Sequence, residues 1–506
     1  MSTVAVADSS IAVHRTAAEV LFRRILFAAA VVAAIGLLCH FAMLAWAGNE
    51  FTQPESIVAA QSTMLARDGT LYYPLDRYPY TVCAYMPIYY VLDAGLIGIG
   101  LPAFTAGRSI SFAALLGIFA LCWRMLMLYT GDRYVAGTGT LLCASTSVLL
   151  AWGTVGQVDT LALFFALAAF YCYSRYSIRG ENALLAAGAL AAAALFTKQT
   201  MVACPAAIFV LLWFGRRRVA LQFGVGLAAV VLALVAALNA ATHGRLLTDT
   251  VLANLNPFAW EKVSQHVHYI LIAAGELVVI ALAGARRALR GPGKGLFLYL
   301  GLAAAVLAGT APKIGSDSNY QIESTVLLIL CASVALHALN FFPLLFGTSR
   351  TWITLLQLPL ALHLILNYRI TGPFLLLRLA REQRARQQVA ALQPFAGGRG
   401  RILSTDMNAL VHLRGRVEVE PLIYKLLVRA GRVDPEPVRR DLAGQVFSTV
   451  ILYHDVSRPA DPDLEFPTLP ERQLAEIRRH YRLAAHIPGP WLDGVYVYKP
   501  AAERPR

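Results

Sequence analysis

Carboxylates and cations recur in the polar segments that separate the apolar runs of this 506-residue sequence. A carboxylate can deprotonate or orient an attacking hydroxyl group. Lysine or arginine can stabilise the negative charge that grows on a departing phosphate. The polar residues that fall at helix ends on one predicted side are Glu50, Glu55, Asp76, Arg77, Asp159, Lys198, Lys262, Lys313, Asp317, Asn319 and Glu323. Such a set suits group transfer from a phosphate-linked donor.

Each candidate also has a purely structural interpretation. Glu55 stands three residues after Thr52, so it can close a capping box on the helix that follows. Asp159 begins an apolar run, where the helix dipole favours an aspartate. Lys198 can extend its ammonium group to a membrane interface. Ser316 or Asp317 can cap the next helix. The joint occurrence of these residues on one side favours a site.

Seven tyrosines near the first long polar segment also have a structural interpretation, since tyrosines form aromatic belts at membrane interfaces. They are Tyr72, Tyr73, Tyr78, Tyr80, Tyr85, Tyr89 and Tyr90.

Composition predicts a polytopic α-helical membrane protein. The chain is 57% apolar and only 15% charged, with a mean hydropathy of +0.56, whereas soluble domains carry about 25% charged residues. The net charge of +14 resides in short loops and the C-terminal tail, a distribution that reflects membrane topology and does not indicate nucleic-acid binding. The seven cysteines show no pairing or metal-ligand spacing, so we expect neither disulfides nor a thiolate metal site.

The apolar runs predict about eleven transmembrane helices. They span 25–47, 108–128, 134–153, 160–176, 182–197, 201–215, 219–240, 267–284, 295–311, 323–342 and 351–368. The segment 85–104 contains Pro87 and Pro102, and counting it as a crossing would separate the basic loops from the basic N-terminus. The positive-inside rule therefore makes 48–107 one external loop with interfacial helices.

This topology divides the chain into four parts. Residues 1–24 form a cytoplasmic N-terminus, and 25–368 form the transmembrane domain. Residues 369–400 supply a connecting helix and a linker, and 401–506 form a small α/β domain outside the membrane. The Ala, Arg and Gly content suggests a bacterium, which places the protein in the inner membrane with this last domain in the periplasm.

The order of these parts resembles the GT-C superfamily of membrane glycosyltransferases, which includes protein O-mannosyltransferases and the aminoarabinose transferase of lipid A. Family members place an acidic residue in a long first external loop, matched here by Glu55 and followed by "MLARDGTLYYP" and "YMPIYY". An aspartate in the second external loop is matched by Asp159 in "GQVDTLALFF". A lysine after the fifth crossing is matched by Lys198 in "FTKQT", and "KIGSDSNYQIE" resembles a late external loop.

Two departures from the family pattern matter. Many members carry an Asp-Glu pair where this chain has Pro54-Glu55, so the resemblance leaves either Glu55 or Glu50 as the catalytic acid. The lysine that precedes the proline-rich turn in some members is absent, since Tyr85 stands in that segment. This absence argues against aminoarabinose transfer to lipid A as the activity.

The resemblance implies an inverting transferase that takes a sugar from a polyprenyl-phosphate donor on the periplasmic face and gives it to a lipid, glycan or protein. Glu55 is expected as the general base, with help from Asp159. The expected donor-phosphate ligands are Lys198, Arg77 and Lys313, and the expected substrate-binding residues are Asn319, Tyr320, Tyr85 and Glu50. No cofactor or divalent metal is expected, because the leaving group is a phosphate monoester.

Two other functions remain open from sequence. A ligase for pyrophosphate-linked oligosaccharides would need larger, arginine-rich external loops. A transporter or lipid flippase would show inverted repeats and helices interrupted at mid-membrane. Neither feature is evident in the sequence.

Overall fold

A computed structural model describes residues 17–254, 256–339, 363, 377–397, 400–413, 416–459 and 466–501. Helices dominate the N-terminal two thirds of this structure. They are α1 (Ala17–Ala45), α2 (Gln53–Asp68), α3 (Ile88–Gly98), α4 (Ala103–Thr130), α5 (Arg133–Ser145), α6 (Ser147–Trp152), α7 (Val158–Arg179), α8 (Leu184–Thr197), α9 (Ala203–Gly215), α10 (Arg217–Ala241), α11 (Arg245–Leu247), α12 (Glu261–Ala288), α13 (Lys294–Thr310) and α14 (Ile322–Ala338). A π-helical turn (Thr248–Leu252) follows α11, and a 3-10 turn (Ser318–Gln321) leads into α14.

The predicted crossings coincide with helices wherever the structure describes them. Five of the described segments are long and apolar enough to cross a membrane: Ala103–Thr130, Val158–Arg179, Arg217–Ala241, Glu261–Ala288 and Ser318–Ala338. Shorter apolar helices occupy the other predicted crossings in this part of the chain. Apart from residue 363, the predicted crossing 351–368 lies outside the described residues.

The contested segment 85–104 forms a short helix, α3, and the start of α4. With 11 residues, α3 extends about 16 Å, whereas the apolar core of a bilayer is about 30 Å thick. Pro87 occupies its N-cap and Pro102 the N-cap of α4, and a proline suits a helix start because no intrahelical partner exists there for its missing N–H. Helix α3 is therefore too short to span a bilayer alone.

Helix α2 lies under the C-terminal part of the chain and beside α3. It begins after the extended residue Thr52, carries Pro54 in its first turn, and ends at Gly69, whose φ of 66° is the left-handed conformation that favours glycine. One face buries Val58 and Met64, of which Met64 packs against the C-terminal domain. The first polar loop thus joins the two parts of the molecule.

The transmembrane helices pack around α14, which is buried over most of its length. Close approach depends on small residues at several crossings. A Cβ on Gly284 of α12 would lie 2.5 Å from the Cβ and 2.7 Å from the carbonyl oxygen of Ala335 in α14. This contact fixes the helix that follows the late polar loop.

The C-terminal part contains a connecting helix, α15 (377–396), and a small α/β domain. The domain has strands β1 (Arg401–Ser404), β2 (Phe447–Leu452), β3 (Tyr481–Ile487) and β4 (Val495–Pro500), and helices α16 (Met407–Leu413), α17 (Pro421–Arg429), α18 (Glu436–Ala443) and α19 (Glu471–His480). The sheet order is β1-β2-β4-β3, with β1 and β2 parallel and the other pairs antiparallel. The small α/β domain predicted for this region is therefore present.

This domain contacts the first polar loop through backbone and aromatic groups. Tyr80 donates its backbone N–H to the carbonyl of Glu418 at 2.9 Å, and its own carbonyl accepts the N–H of Glu420 at 2.8 Å. The Arg401 guanidinium lies 4.1 Å from the ring centroid of Tyr78. The loop and the domain therefore form one packed unit.

Candidate functional site

A narrow cleft lies where α7, α8, α13 and α14 meet. Its polar lining comes from the start of α7, the segment after α8 and the late polar loop. The residues that line it are Asp159, Lys198, Thr200, Met201, Ala303, Val306, Leu307, Thr310, Asn319, Tyr320, Ile322 and Glu323. Three separate polar segments singled out in the sequence therefore converge on one cavity.

Asp159 and Lys198 form a buried ion pair in this cleft. The Lys198 Nζ lies 2.5 Å from Asp159 Oδ1, and Asn319 Nδ2 donates to Asp159 Oδ2 at 3.2 Å. Burial is the largest single effect and lowers the pKa of Lys198, but the charge and hydrogen bond of Asp159, with Tyr320 and Glu323, together outweigh it and leave the pKa above its ordinary value. The lysine is therefore a charged ammonium group.

Aromatic rings surround the same ammonium group. Lys198 Nζ lies 4.4 Å from the ring centroid of Tyr320 and 5.9 Å from that of Tyr85, distances suited to cation–π attraction. Lys198 is only 3% exposed, so the interpretation as a lysine extended to the membrane interface is wrong. Four predicted residues that meet at this point are Asp159, Lys198, Asn319 and Tyr320, with Tyr85 beside them.

Glu55 lies outside the residues that line the cleft and pairs with Arg108 of α4. Arg108 donates from Nε to Glu55 Oε1 and from Nη2 to Glu55 Oε2, both at 2.7 Å. The backbone N–H groups of Gly156 and Phe51 donate to the two oxygens at 2.7 and 2.8 Å. Four donors occupy the roughly four lone-pair directions of a carboxylate, so this carboxylate has no position left for a substrate proton.

Arg108 in turn fixes the backbone on the other side of the pair. Its guanidinium donates to the carbonyls of Ala47 at 2.6 Å and Asn49 at 2.5 Å, and it lies 3.8 Å from the ring centroid of Phe51. The pair therefore ties the end of α1 to Gly156, three residues before Asp159. Sequence reasoning did not assign a role to Arg108, although an arginine opening a membrane helix is itself a signal of a buried partner.

The structural interpretations of the first loop need two corrections. The capping box of Thr52 with Glu55 does not form, because Glu55 reaches the N–H of Phe51 instead and Thr52 Oγ1 has no hydrogen-bond partner. Of the tyrosines considered for an aromatic belt, Tyr72, Tyr80, Tyr89 and Tyr90 are buried inside the protein.

In the late loop, Asp317 caps the 3-10 turn by accepting the N–H of Ser318.

Glu50 lies between the first loop and the C-terminal domain. Its backbone N–H donates to Asn408 Oδ1 at 3.1 Å, and its carboxylate accepts the Ser56 hydroxyl. Burial first, and then the nearby Asp406 carboxylate, raise the pKa of Glu50 to about 8. These contacts place Glu50 at a domain contact, and it does not line the cleft.

Two predicted phosphate ligands also lie away from the cleft lining. Arg77 is exposed on the loop before Tyr78, which packs on the C-terminal domain. Lys313 donates from Nζ to the Asn254 carbonyl at 2.8 Å, and burial lowers its pKa. Neither side chain joins Lys198 in this conformation.

Glu323 is a cleft residue to which the sequence analysis gave no specific role. It stands in the first turn of α14, and its Oε1 accepts the Tyr299 hydroxyl at 2.7 Å.

Across the described ranges of the chain, no group of three or more His, Cys, Asp or Glu side chains is placed to hold a metal ion.

Known proteins share this architecture. Residues 89–240 match the family described as dolichyl-phosphate-mannose-protein mannosyltransferase. No curated protein matches the chain by sequence.

The structure is similar to that of ArnT from Cupriavidus metallidurans bound to undecaprenyl phosphate, with a TM-score of 0.63 and 14% identity over 96% of this chain and 99% of that one. It is also similar to the archaeal oligosaccharyltransferase AglB from Archaeoglobus fulgidus in complex with an inhibitory peptide and a dolichol phosphate, with a TM-score of 0.50 and 11% identity over 86% of this chain and 70% of that one. The predicted fold class, a polytopic α-helical protein with a small C-terminal α/β domain, is thereby confirmed. The chain is a multi-pass membrane protein that has the fold of the GT-C superfamily of glycosyltransferases.

Proposed function

We propose that this protein transfers a sugar from a polyprenyl-phosphate donor to a hydroxyl group of a lipid, glycan or protein acceptor on the periplasmic face of a bacterial inner membrane. The observation that carries the proposal is the buried ammonium of Lys198, held at a cleft beside a carboxylate and two tyrosine rings. The relatives support the donor class, since ArnT is bound to undecaprenyl phosphate and AglB to dolichol phosphate in their structures.

Lys198 is the proposed ligand of the donor phosphate. Its charge is neutralised by Asp159 at 2.5 Å. A phosphate that approaches the ammonium competes with this carboxylate and becomes its charge partner. Because the site is buried, the ammonium stabilises the charge on the leaving phosphate more strongly than it would in water.

Asp159 is the proposed general base. Release from Lys198 would free Oδ1 of Asp159, while Asn319 continues to orient the carboxylate through Oδ2. The acceptor oxygen then attacks the anomeric carbon as the bond from that carbon to the phosphate oxygen breaks, which inverts the configuration. The acceptor proton passes to Asp159, and polyprenyl phosphate leaves with its new negative charge beside Lys198.

Glu55 takes a positioning role in this proposal instead of the role of base. Its bonds to Arg108 and to the Gly156 N–H hold the loop that leads to Asp159. The reaction needs no metal in this scheme because Lys198 supplies the positive charge, so a chelator should leave turnover unchanged.

The test measures undecaprenyl phosphate binding and sugar transfer by the purified full-length protein. Lys198→Met should weaken binding of undecaprenyl phosphate by about ten- to hundredfold, the range expected for one charge-assisted hydrogen bond. Asp159→Asn should retain lipid binding and lose transfer from undecaprenyl-phosphate sugars. Glu261→Gln, at an exposed carboxylate in the first turn of α12, is the matched control.

Two outcomes contradict the proposal. Unchanged undecaprenyl phosphate binding in folded Lys198→Met would remove Lys198 from the donor site. A lipid flippase would be indicated if the wild-type protein binds the lipid and moves it between the leaflets of a vesicle membrane but transfers no sugar to any acceptor.

A further inference from the structure

Glu323 brings a second carboxylate into the cleft. It is 7% exposed and lies in the first turn of α14. The Tyr299 hydroxyl holds Oε1 at 2.7 Å and so fixes the direction of the carboxylate. This orientation is set by α13 and does not depend on the Asp159–Lys198 pair.

The second oxygen of Glu323 differs from the other carboxylate oxygens at the site. Asp159 uses Oδ1 for Lys198 and Oδ2 for Asn319, and Glu55 uses both oxygens for Arg108 and backbone N–H groups. Glu323 Oε2 has no hydrogen-bond partner among the described residues, and the atom is not completely buried. Since Glu323 lines the cleft, this oxygen is available to a bound molecule.

The charge balance of the lining limits what that molecule can carry. The lining contains two carboxylates, Asp159 and Glu323, but one cation, Lys198, and its remaining members are neutral. A donor phosphate would use Lys198 and leave both carboxylates without compensation. A further negative group on the sugar would then lie in a buried site among like charges, which is strongly unfavourable.

We propose that Glu323 reads the donor sugar: its Oε2 accepts a hydrogen bond from a sugar hydroxyl, and its charge excludes uronic acids. The cleft would thus take polyprenyl-phosphate sugars that carry no negative group. This inference rests on the proposed function, because it assumes that Lys198 holds the donor phosphate in the same cleft.

The test compares three probes on the purified full-length protein: undecaprenyl phosphate, undecaprenyl-phosphate glucose and undecaprenyl-phosphate glucuronic acid. The wild type should bind the glucose lipid more tightly than the uronic acid lipid by at least tenfold. Glu323→Gln should reduce that ratio by about ten- to hundredfold, as expected for removing one charged hydrogen-bond partner. Its affinity for bare undecaprenyl phosphate should not fall.

Two variants keep the test decisive if Glu323→Gln folds poorly. Glu323→Asp retains the charge and should retain the discrimination against the uronic acid lipid. Tyr299→Phe removes only the partner of Oε1 and should also retain it. Loss of discrimination in Glu323→Asp as complete as in Glu323→Gln would point to packing and overturn the charge argument.

The remaining outcomes separate this inference from the proposed function. If all three lipids bind through Lys198 but Glu323→Gln keeps the wild-type ratio, the inference on Glu323 fails alone. If the wild type binds no undecaprenyl phosphate, the proposed function fails and this inference fails with it.

Discussion

At the scale of single residues, the Glu55–Arg108 pair shows how a carboxylate in a suggestive position can serve structure. Both side chains are almost completely buried, with 1% and 0% of their side-chain surfaces exposed. The pair joins the end of α1, the start of α2, α4 and the loop before α7 through four backbone groups outside the pair. A buried ion pair of this kind contributes chiefly because losing one member leaves the other charge unpaired.

Glu55→Gln should therefore destabilise the protein more than it slows the chemical step. Removing one charge of a buried pair costs about 3–5 kcal/mol, because Arg108 stays buried without a counter-charge. Thermal unfolding of the detergent-solubilised protein measures the loss, with Glu261→Gln as the exposed control. Wild-type thermal stability together with lost turnover would instead return Glu55 to the role of general base.

The contrast between Asp159 and Glu55 also shows what sequence can predict at this scale. Both are recognisable in the sequence as carboxylates beside helix starts. Asp159 and Lys198 also belong to the polar residues predicted to lie on one side, and the structure pairs them. The partner of Glu55 was not predictable, since Arg108 is 53 residues away and its location depends on how α4 packs against α1. Long-range contacts of this kind follow from the fold and not from local pattern.

At the scale of elements, hydrophobic length and loop charge predicted the helices well. The short α3 was separated from the crossings because counting it would have reversed the side of every later basic loop. The α/β character of the C-terminal domain was also predicted. These signals do not predict how deeply a side chain packs, so the sequence left an aromatic belt open for tyrosines of the first loop that are buried in the fold.

The α12–α14 contact is the element-scale feature most sensitive to substitution. A methyl group at Gly284 would meet the Cβ, carbonyl oxygen and carbonyl carbon of Ala335 at 2.5, 2.7 and 2.8 Å. Backbone atoms cannot move aside as a flexible side chain can. Gly284→Ala should thus push α12 and α14 apart and destabilise the protein by about 1–3 kcal/mol, the usual cost of overpacking.

Gly275→Ala is a control in the same helix, because a Cβ there meets no atom of the described residues within 4 Å. It should be neutral or slightly stabilising, since alanine favours a helix over glycine. The melting temperatures of the two variants in one detergent provide the comparison. Equal melting temperatures would show that the helices do not pack at Gly284 as described. A lower donor affinity in Gly284→Ala alone would connect this contact to Asn319 and Glu323 of the site.

At the scale of the whole molecule, the C-terminal domain and α15 hold the first polar loop from outside. Glu382 of α15 accepts the backbone N–H groups of Gly48 and Asn49 at 3.0 and 3.1 Å. On the domain side, Glu50 meets Asn408, and the Glu420 carboxylate accepts the Thr81 hydroxyl at 3.3 Å. The loop that carries Glu55 is therefore clamped between the membrane helices and the domain.

Glu50 makes this clamp sensitive to pH. Its pKa rises from an ordinary 4.5 to about 8 because the carboxyl is buried and faces the carboxyl groups of Asp406 and Glu55. Between these two pH values the folded state binds a proton that the unfolded state has already released. The contribution of Glu50 to the free energy of unfolding is therefore fully present below pH 4.5 and is lost as the pH rises toward 8. Glu50→Gln removes this penalty and keeps a group that can accept the Ser56 hydroxyl.

The melting temperature of Glu50→Gln should accordingly exceed that of the wild type at pH 8 and approach it near pH 5. The difference in the free energy of unfolding is on the order of a few kcal/mol, since each unit of pKa is worth about 1.4 kcal/mol. Glu471→Gln, at an exposed carboxylate of α19, controls for the loss of any surface charge. Hydrogen exchange over 48–56 locates the effect, because protection there should decline with rising pH in the wild type and stay level in the variant. Identical pH profiles in the two proteins would mean that Glu50 is ionised in the folded state and that another partner compensates its charge.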